Sequence, residues 1–335
     1  MTRSVLLPMA VSFAVASLVF PLFRSLANRW NILDRPAGPL KKHDHPVPYL
    51  GGCMVFCGVA AAMALYPGQI PPELRGLILG TSLMLLVGLV DDLRPVSPYL
   101  KLACQALSAA IAVWGGLRVS IVFLPLSVNL ALTCLWMVAI TNAFNIIDVH
   151  DGLCSGTAVM ISVGLILVSL FTTLYDKTFV TVSAAALFGA GLAFFIVNRP
   201  PARMFLGDAG SLPIGFFLAG LAIGESYTPD HPVGLFVPFL LFLVPMYDLL
   251  FVVVMRLARG LSPLRGSPDH VAVRLRHLGW SDGQVLAALL AISAISACLS
   301  PGVVFLPMPY ATFLAVCAAL AAIGVGWALA RIRPA

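Results

Sequence analysis

The chain has 335 residues, 60% of them hydrophobic and only 10% charged, with a mean hydropathy of +0.99 and a formal net charge of +6. A soluble domain carries about 25% charged residues, so this composition excludes an ordinary soluble enzyme and describes a polytopic membrane protein. The basic residues are scattered through short segments without an aromatic platform, which speaks against nucleic-acid binding.

A membrane-crossing helix needs about 20 apolar residues. In chain order, apolar runs of roughly that kind occupy 3–23, 49–66, 74–90, 99–114, 128–144, 153–172, 178–196, 212–224, 232–255, 283–300 and 308–330. They predict eleven helical spans in an all-α fold. Val5 to Phe23 reads as the first span and not as a cleaved leader, because no small-residue cleavage site follows it. Pro238 and Pro245 fall inside the ninth run, which is expected to kink or break there. With alternating spans, all of the 20 Lys and Arg except Arg3, Arg75, Arg118 and Lys177 fall on one face. The positive-inside rule then puts the N-terminus outside and the C-terminus in the cytoplasm. The seven cysteines lack metal-ligand spacing and read as small buried apolar residues.

Polar clusters punctuate the ends of these runs, all on the predicted cytoplasmic face. The first connection carries Lys41, Lys42, His43 and His45 among prolines, a rigid turn suited to gripping a phosphate or to anchoring the chain at the membrane surface. Asp91 and Asp92 close the third run, with Lys101 early in the fourth. Two adjacent carboxylates repel and call for a nearby cation, either magnesium or a basic side chain such as Arg94. Asn142, Asn145, Asp148 and Asp151 recur every three residues and form one slowly winding polar stripe. That stripe suits a cation, a polyhydroxyl ligand or a wet helix contact, and His150 within it reads as a solvated loop histidine. The segment from Asn198 to Ser211 contains Phe205 and a loop aspartate, Asp208, between Gly207 and Gly210. Those glycines allow close approach of a phosphate or metal. In the last large connection His270, Arg274 and His277 share one helical face, either to bind phosphate or to lie on lipid.

Taken together and in this order, the clusters resemble the polyprenyl-phosphate sugar-1-phosphate transferases, over about Asp34 to Trp280. The resemblance implies roles position by position. Asp91 and Asp92 match the Asp-Asp motif that handles the prenyl phosphate, and Asp208 matches the magnesium-binding aspartate. Phe205 and Asn198 match positions that hold the uracil ring. Asn145, Asp148 and Asp151 match the segment lining the nucleotide-sugar site. Lys41 and Lys101 match basic residues beside the phosphates, and His270 with Arg274 matches the His-x-His-His-Arg-Leu loop. Two departures stand out: Val149 replaces a glycine in Asp-Gly-x-Asp-Gly, and Ala272 with Val273 replace two histidines of the last loop.

The expected protein is a single transferase unit over residues 1–335. Its active-site segments are 24–48, 91–101, 145–152, 198–211 and 256–282, on the cytoplasmic face of a bacterial inner membrane. It would use magnesium, with manganese as the alternative, and pass N-acetylhexosamine-1-phosphate from a UDP-sugar to undecaprenyl phosphate. Asp91, Asp92, Asp148, Asp151 and His270 would be catalytic, and Lys41, Lys101, Asn145, Asn198, Phe205 and Arg274 would bind substrate. The first connection looks more like the N-acetylglucosamine branch than the peptidoglycan phospho-N-acetylmuramoyl-pentapeptide branch. A homodimer is compatible with the sequence. An ion-coupled transporter predicts an inverted repeat, which the sequence lacks. An intramembrane aspartyl protease requires its Tyr-Asp helix before its Gly-Asp helix, whereas here Asp248 follows Asp208.

Overall fold

A computed structural model describes residues 2–35, 45–121, 123–171, 178–224, 234, 236–262, 268–303 and 306–332. Among these the regular structure is helical, apart from one short antiparallel ladder that the apolar pattern did not announce. In it β1 (Leu33–Asp34) pairs with β2 (Val47–Pro48), Leu33 opposite Pro48 and Asp34 opposite Val47.

The helices are α1 (Thr2–Arg29), α2 (Gly51–Met63), α3 (Pro72–Leu93), α4 (Pro98–Trp114), α5 (Leu126–Ile147), α6 (Leu153–Phe171) and α7 (Thr178–Asn198). They continue as α8 (Asp208–Gly224), α9 (Phe236–Leu241), α10 (Leu243–Ala258), α11 (Val271–His277), α12 (Asp282–Val303) and α13 (Met308–Ala330). Each apolar run therefore coincides with a helix, and the ninth with the pair α9 and α10. Among the described residues seven helices are long and apolar enough to cross a membrane: α1, α3, α5, α6, α7, α12 and α13. The chain is thus an all-α polytopic membrane protein. The ninth run breaks at Phe242 as its prolines require: Pro245 has no N–H to give the Leu241 carbonyl, so the ladder loses a rung there.

Packing is organised around α8, whose residues Ala209 to Ile223 are all buried. A helix that is apolar all round belongs at the centre of a bundle. It touches α3, α5 and α2, while α1 packs on α7 and α2, and α6 on α7 and α12. Gly52 of α2 abuts the backbone at Ala209 and Gly210, and Gly88 of α3 abuts it at Asp208 and Ala209, so that three helices meet where any side chain would collide. Of the seven cysteines, all free thiols, only Cys154 is buried and Cys57, Cys298 and Cys317 are exposed. The expectation of buried cysteines fails for those three, because they lie on outward helix faces, where lipid is the apolar surrounding.

Candidate functional site

The N-terminus of α8 is the hub of the site. Its first residue, Asp208, is drawn on by helices distant in sequence: Lys101 Nζ of α4 donates to Oδ2 at 2.7 Å, and Asn145 Nδ2 of α5 donates to Oδ1 at 2.8 Å. Lys101 also bridges to Asp91 Oδ2 of α3 at 2.7 Å, while Val96 N donates to Asp91 Oδ1 at 2.7 Å. Asn145 Nδ2 lies a further 3.0 Å from Ser211 Oγ. One ammonium thus offsets two carboxylates that would otherwise repel.

Asp208 was expected in a loop and instead opens a helix. The reason is Asp92, whose two oxygens accept from Asp208 N at 2.8 Å and Ala209 N at 3.0 Å. A carboxylate from another helix thereby caps α8, satisfying backbone donors that a helix start leaves unpaired. The next two donors, Gly210 N and Ser211 N, go to Gly207 O. Gly207 has φ +72°, and a Cβ there would strike the Asp92 carboxylate. This glycine therefore admits a side chain of the protein itself, where the sequence suggested a phosphate or metal.

The polar stripe divides by role. Asn142 pairs reciprocally with Gln105, a fully buried residue with no sequence signal beyond its place in an apolar run. Asp151 Oδ2 accepts from Ala202 N at 3.0 Å and so ties down the segment after α7. Asp148, just past the end of α5, is half-buried, and among the described residues its carboxylate has no hydrogen-bond partner. Burial, followed by the charges of Asp208, Asp92 and Asp151, raises its pKa well above the usual carboxylate range. His150 is not solvated: it is 4% exposed, bonded to Asp151 O, and burial lowers its pKa. Val149, in contrast, is exposed and does not press into the site.

Asn198 is 3% exposed, and its amide is engaged at both ends. Oδ1 accepts from Gly152 N and Ser155 Oγ, and Nδ2 donates to Met204 O. In this structure it braces the segment carrying Phe205 and presents nothing to a base. Phe205 itself is half-buried and fixed through its backbone: Phe205 N donates to Pro48 O, and Phe205 O accepts from Gly51 N. Its ring lies 5.9 Å from that of Tyr49. Burial, then Asp34 and Asp92, raises the Tyr49 phenol above its ordinary value. Tyr49 and Gln105 are the residues of this neighbourhood that sequence reasoning passed over.

His270 and Arg274 form a second, separate cluster. His270 Nδ1 lies 3.0 Å from Asp248 Oδ2, and Asp248 Oδ1 accepts from Val271 N at 2.7 Å, capping α11. Arg274 is 0% exposed: it pairs with Asp269 and donates to Leu329 O and Ile332 O at the end of α13. Its guanidinium also sits 5.1 Å from the Phe251 ring centroid. An arginine so enclosed has no face for a phosphate, which corrects the expected substrate contact; carbonyls at the C-terminal end of α13 have claimed it. No described contact joins His270 or Arg274 to the Asp208 hub. Lys41, with Lys42 and His43, lies outside the described residues.

Among the described residues no group of three or more His, Cys, Asp or Glu could hold a metal alone. Magnesium takes one or two carboxylates together with substrate phosphates and water. Asp208, Asp148 and Asp91 supply oxygen donors of the right kind.

A family profile described as Glycosyl transferase family 4 matches residues 74–225. The chain is 27% identical over 279 residues to a probable undecaprenyl-phosphate N-acetylglucosaminyl 1-phosphate transferase of Bacillus subtilis, covering 81% of this chain and 77% of that protein. It is 30% identical over 302 residues to a decaprenyl-phosphate N-acetylglucosaminephosphotransferase of Mycobacterium tuberculosis (78% and 73%). It is also 31% identical over 324 residues to a phospho-N-acetylmuramoyl-pentapeptide-transferase of Gloeothece citriformis (87% and 85%).

Proposed function

We propose a reaction on the premise that this chain belongs to the polyprenyl-phosphate N-acetylhexosamine-1-phosphate transferases. It passes N-acetylglucosamine-1-phosphate, or a close N-acetylhexosamine analogue, from a UDP-sugar to undecaprenyl phosphate and releases UMP. The observation that carries this reading is the hub at Asp208, where residues of α3, α4 and α5 converge on the start of a buried helix. All of those groups sit at one end of the bundle, where a membrane-embedded acceptor and a soluble donor can meet.

The chemical problem is to bring two anions together. An oxygen of the lipid phosphate attacks the sugar-bearing phosphorus of the donor, the bridging P–O bond breaks, and UMP departs with that oxygen. Asp208, with Asp148 nearby, would hold magnesium, which would supply positive charge against the donor's diphosphate. Lys101 supplies a fixed positive charge beside both phosphates, and positioning with electrostatics provides most of the rate. Asp148, without a hydrogen-bond partner among the described residues and raised in proton affinity by burial and neighbouring aspartates, is suited in its ionised form to take a proton from the acceptor phosphate. Phe205 and Tyr49 form the aromatic wall for uracil, and Asn198 holds that wall in place. Asp151 and His270 act through structure: one clamps the segment after α7, the other joins Asp248 at the start of α11.

The eleven apolar runs cross a bacterial inner membrane with the hub on the cytoplasmic face, all within one transferase unit. The test is purified protein with undecaprenyl phosphate, magnesium and a panel of UDP-sugars that includes UDP-N-acetylmuramoyl-pentapeptide. UMP release with UDP-N-acetylglucosamine is the expected result. Release with the pentapeptide donor alone would move the chain to the peptidoglycan branch.

A further inference from the structure

We propose that Gln105 and Asn142 are positioning residues for the transfer: their amide pair fixes α4 against α5, so that Lys101 and Asn145 meet the two oxygens of Asp208 in register. The proposal rests on the reaction set out above. The pair is reciprocal. Asn142 Nδ2 donates to Gln105 Oε1 at 2.6 Å, and Gln105 Nε2 donates to Asn142 Oδ1 at 3.3 Å. Asn142 Nδ2 directs its other N–H to Val138 O of its own helix, at 2.8 Å, which holds the amide in one orientation. Among the described residues no other side-chain hydrogen bond joins α4 to α5.

Helical register relates this pair to the hub. Gln105 follows Lys101 by four residues and Asn142 precedes Asn145 by three, so each amide shares a helix face with a hub residue, one turn further into the bundle. At the hub, α4 and α5 hold one carboxylate from two sides. Lys101 Nζ lies 2.7 Å from Asp208 Oδ2, and Asn145 Nδ2 lies 2.8 Å from Oδ1. One turn away, the same two helices hold each other. Among the described residues neither amide bonds to a carboxylate, so any effect on the reaction passes through Lys101 and Asn145.

The rest of α4 does little to set its position. Its four buried residues are Gln105, Ser108, Ala109 and Ala112, and Gln105 alone among them has a long side chain. Against α3 the contact is made by backbone: Gly80 faces Ser108 O, and Gly76 faces Gly115. Small residues let helices approach closely, but such contacts have no direction and leave α4 free to slide or roll. Opposed hydrogen bonds between two planar amides remove both freedoms, because each bond weakens steeply as it bends. An apolar pair of the same shape would serve stability about as well. What it would lack is register. The hub needs register, since a misplacement of about 1 Å caused by a change away from the chemistry can cost about a hundredfold in rate.

The test compares full-length wild-type protein in nanodiscs with the apolar pair Gln105→Met/Asn142→Leu and the exchanged pair Gln105→Asn/Asn142→Gln. Melting temperature, kcat and KM for UMP release are measured for each. The apolar pair is expected to melt as the wild type does and to lose at least about tenfold in kcat, with both KM values unchanged. The exchanged pair restores an amide–amide bond and should recover most of that loss. A second readout needs no turnover: nitroxides carried by ketoxime-linked residues at Leu107 of α4 and Ile196 of α7, both exposed positions, report the place of α4 in the bundle. Their distance distribution should shift or broaden in the apolar pair and return in the exchanged pair. Wild-type kcat in the apolar pair, an unchanged distribution, or a kcat that merely follows melting temperature through the series would overturn the proposal. A shifted distribution in a protein whose wild type releases no UMP from any donor would instead sink the reaction and leave the register device standing.

Discussion

Asp91 and Asp92 are neighbours in sequence and differ completely in what they touch. Asp91 meets the Lys101 ammonium and one backbone N–H, whereas both oxygens of Asp92 are committed to the first two backbone donors of α8. An asparagine at 92 keeps only one acceptor oxygen, so one of those donors is left unpaired, at a cost of about 1–3 kcal/mol. Asp92→Asn is therefore expected to lower both melting temperature and UMP release. Asp91→Asn should lower turnover with little change in melting temperature. Scanning fluorimetry alongside the release assay separates them, and equal thermal losses in the two variants would contradict the cap. Asp148 presents the opposite case, a carboxylate held where the fold does not favour charge. It adjoins the C-terminal end of α5, where the helix dipole is negative, and three other aspartates face it. Its folded pKa is raised above the ordinary value of about 3.9, so folding takes up a proton between the two values. The stability it contributes is full below the unfolded pKa and is lost as pH rises through the folded one. Asp148→Asn should consequently raise the melting temperature, more at pH 8 than at pH 5, while abolishing UMP release. A loss of stability at pH 8 would refute the assignment.

At the scale of elements, the site depends on how closely α2, α3 and α8 approach one another. Gly88 lies against the Asp208 carbonyl and the Ala209 amide, and a Cβ there would overlap both. Because backbone is not a flexible side-chain end, the clash is relieved only by moving α8, and with it Asp208. Overpacking of this kind costs typically about 1–3 kcal/mol. Gly88→Ala is expected to reduce UMP release at least about tenfold. It should do so with less effect on folding than on turnover, which melting temperature and kcat measured together will show. Length and apolarity made the helices legible in the sequence, and Pro238 and Pro245 marked the break at Phe242. The helix starts were not legible. The cap on α8 comes from Asp92, 116 residues away, and no local pattern announces such a partner. The same holds for Arg274, which its spacing offered to a phosphate. Its carbonyl partner Leu329 lies 55 residues further along the chain and encloses it. Asn145, Lys101 and Asp208 were all singled out from sequence, but their convergence needed the fold.

For the whole molecule, the question is which end of the bundle faces the cytoplasm. The hub gathers the end of α3, the start of α4, the end of α5, the end of α7 and the start of α8, and these ends share one face by packing alone. The basic residues predict an orientation: Arg94, Lys101, Arg199 and Arg203 lie at that same end, whereas Arg75 and Arg118 lie at the other ends of α3 and α4. A bias of this kind retains loops in the cytoplasm, and it agrees with the chemistry, because a nucleotide-sugar donor is a soluble anion. Reporter fusions or cysteine labelling should therefore place residues 24–48, 199–211 and 256–282 inside and 225–231 outside. The two segments 199–211 and 256–282 provide the sharpest comparison, since one contains Asp208 and the other His270 and Arg274. The Asp248–His270 contact ties the second segment to α10, and α10 packs on α5. Both segments are therefore expected on one side of the bilayer. Labelling that separates them would break the orientation, and with it the meeting of a soluble donor and a lipid acceptor at Asp208.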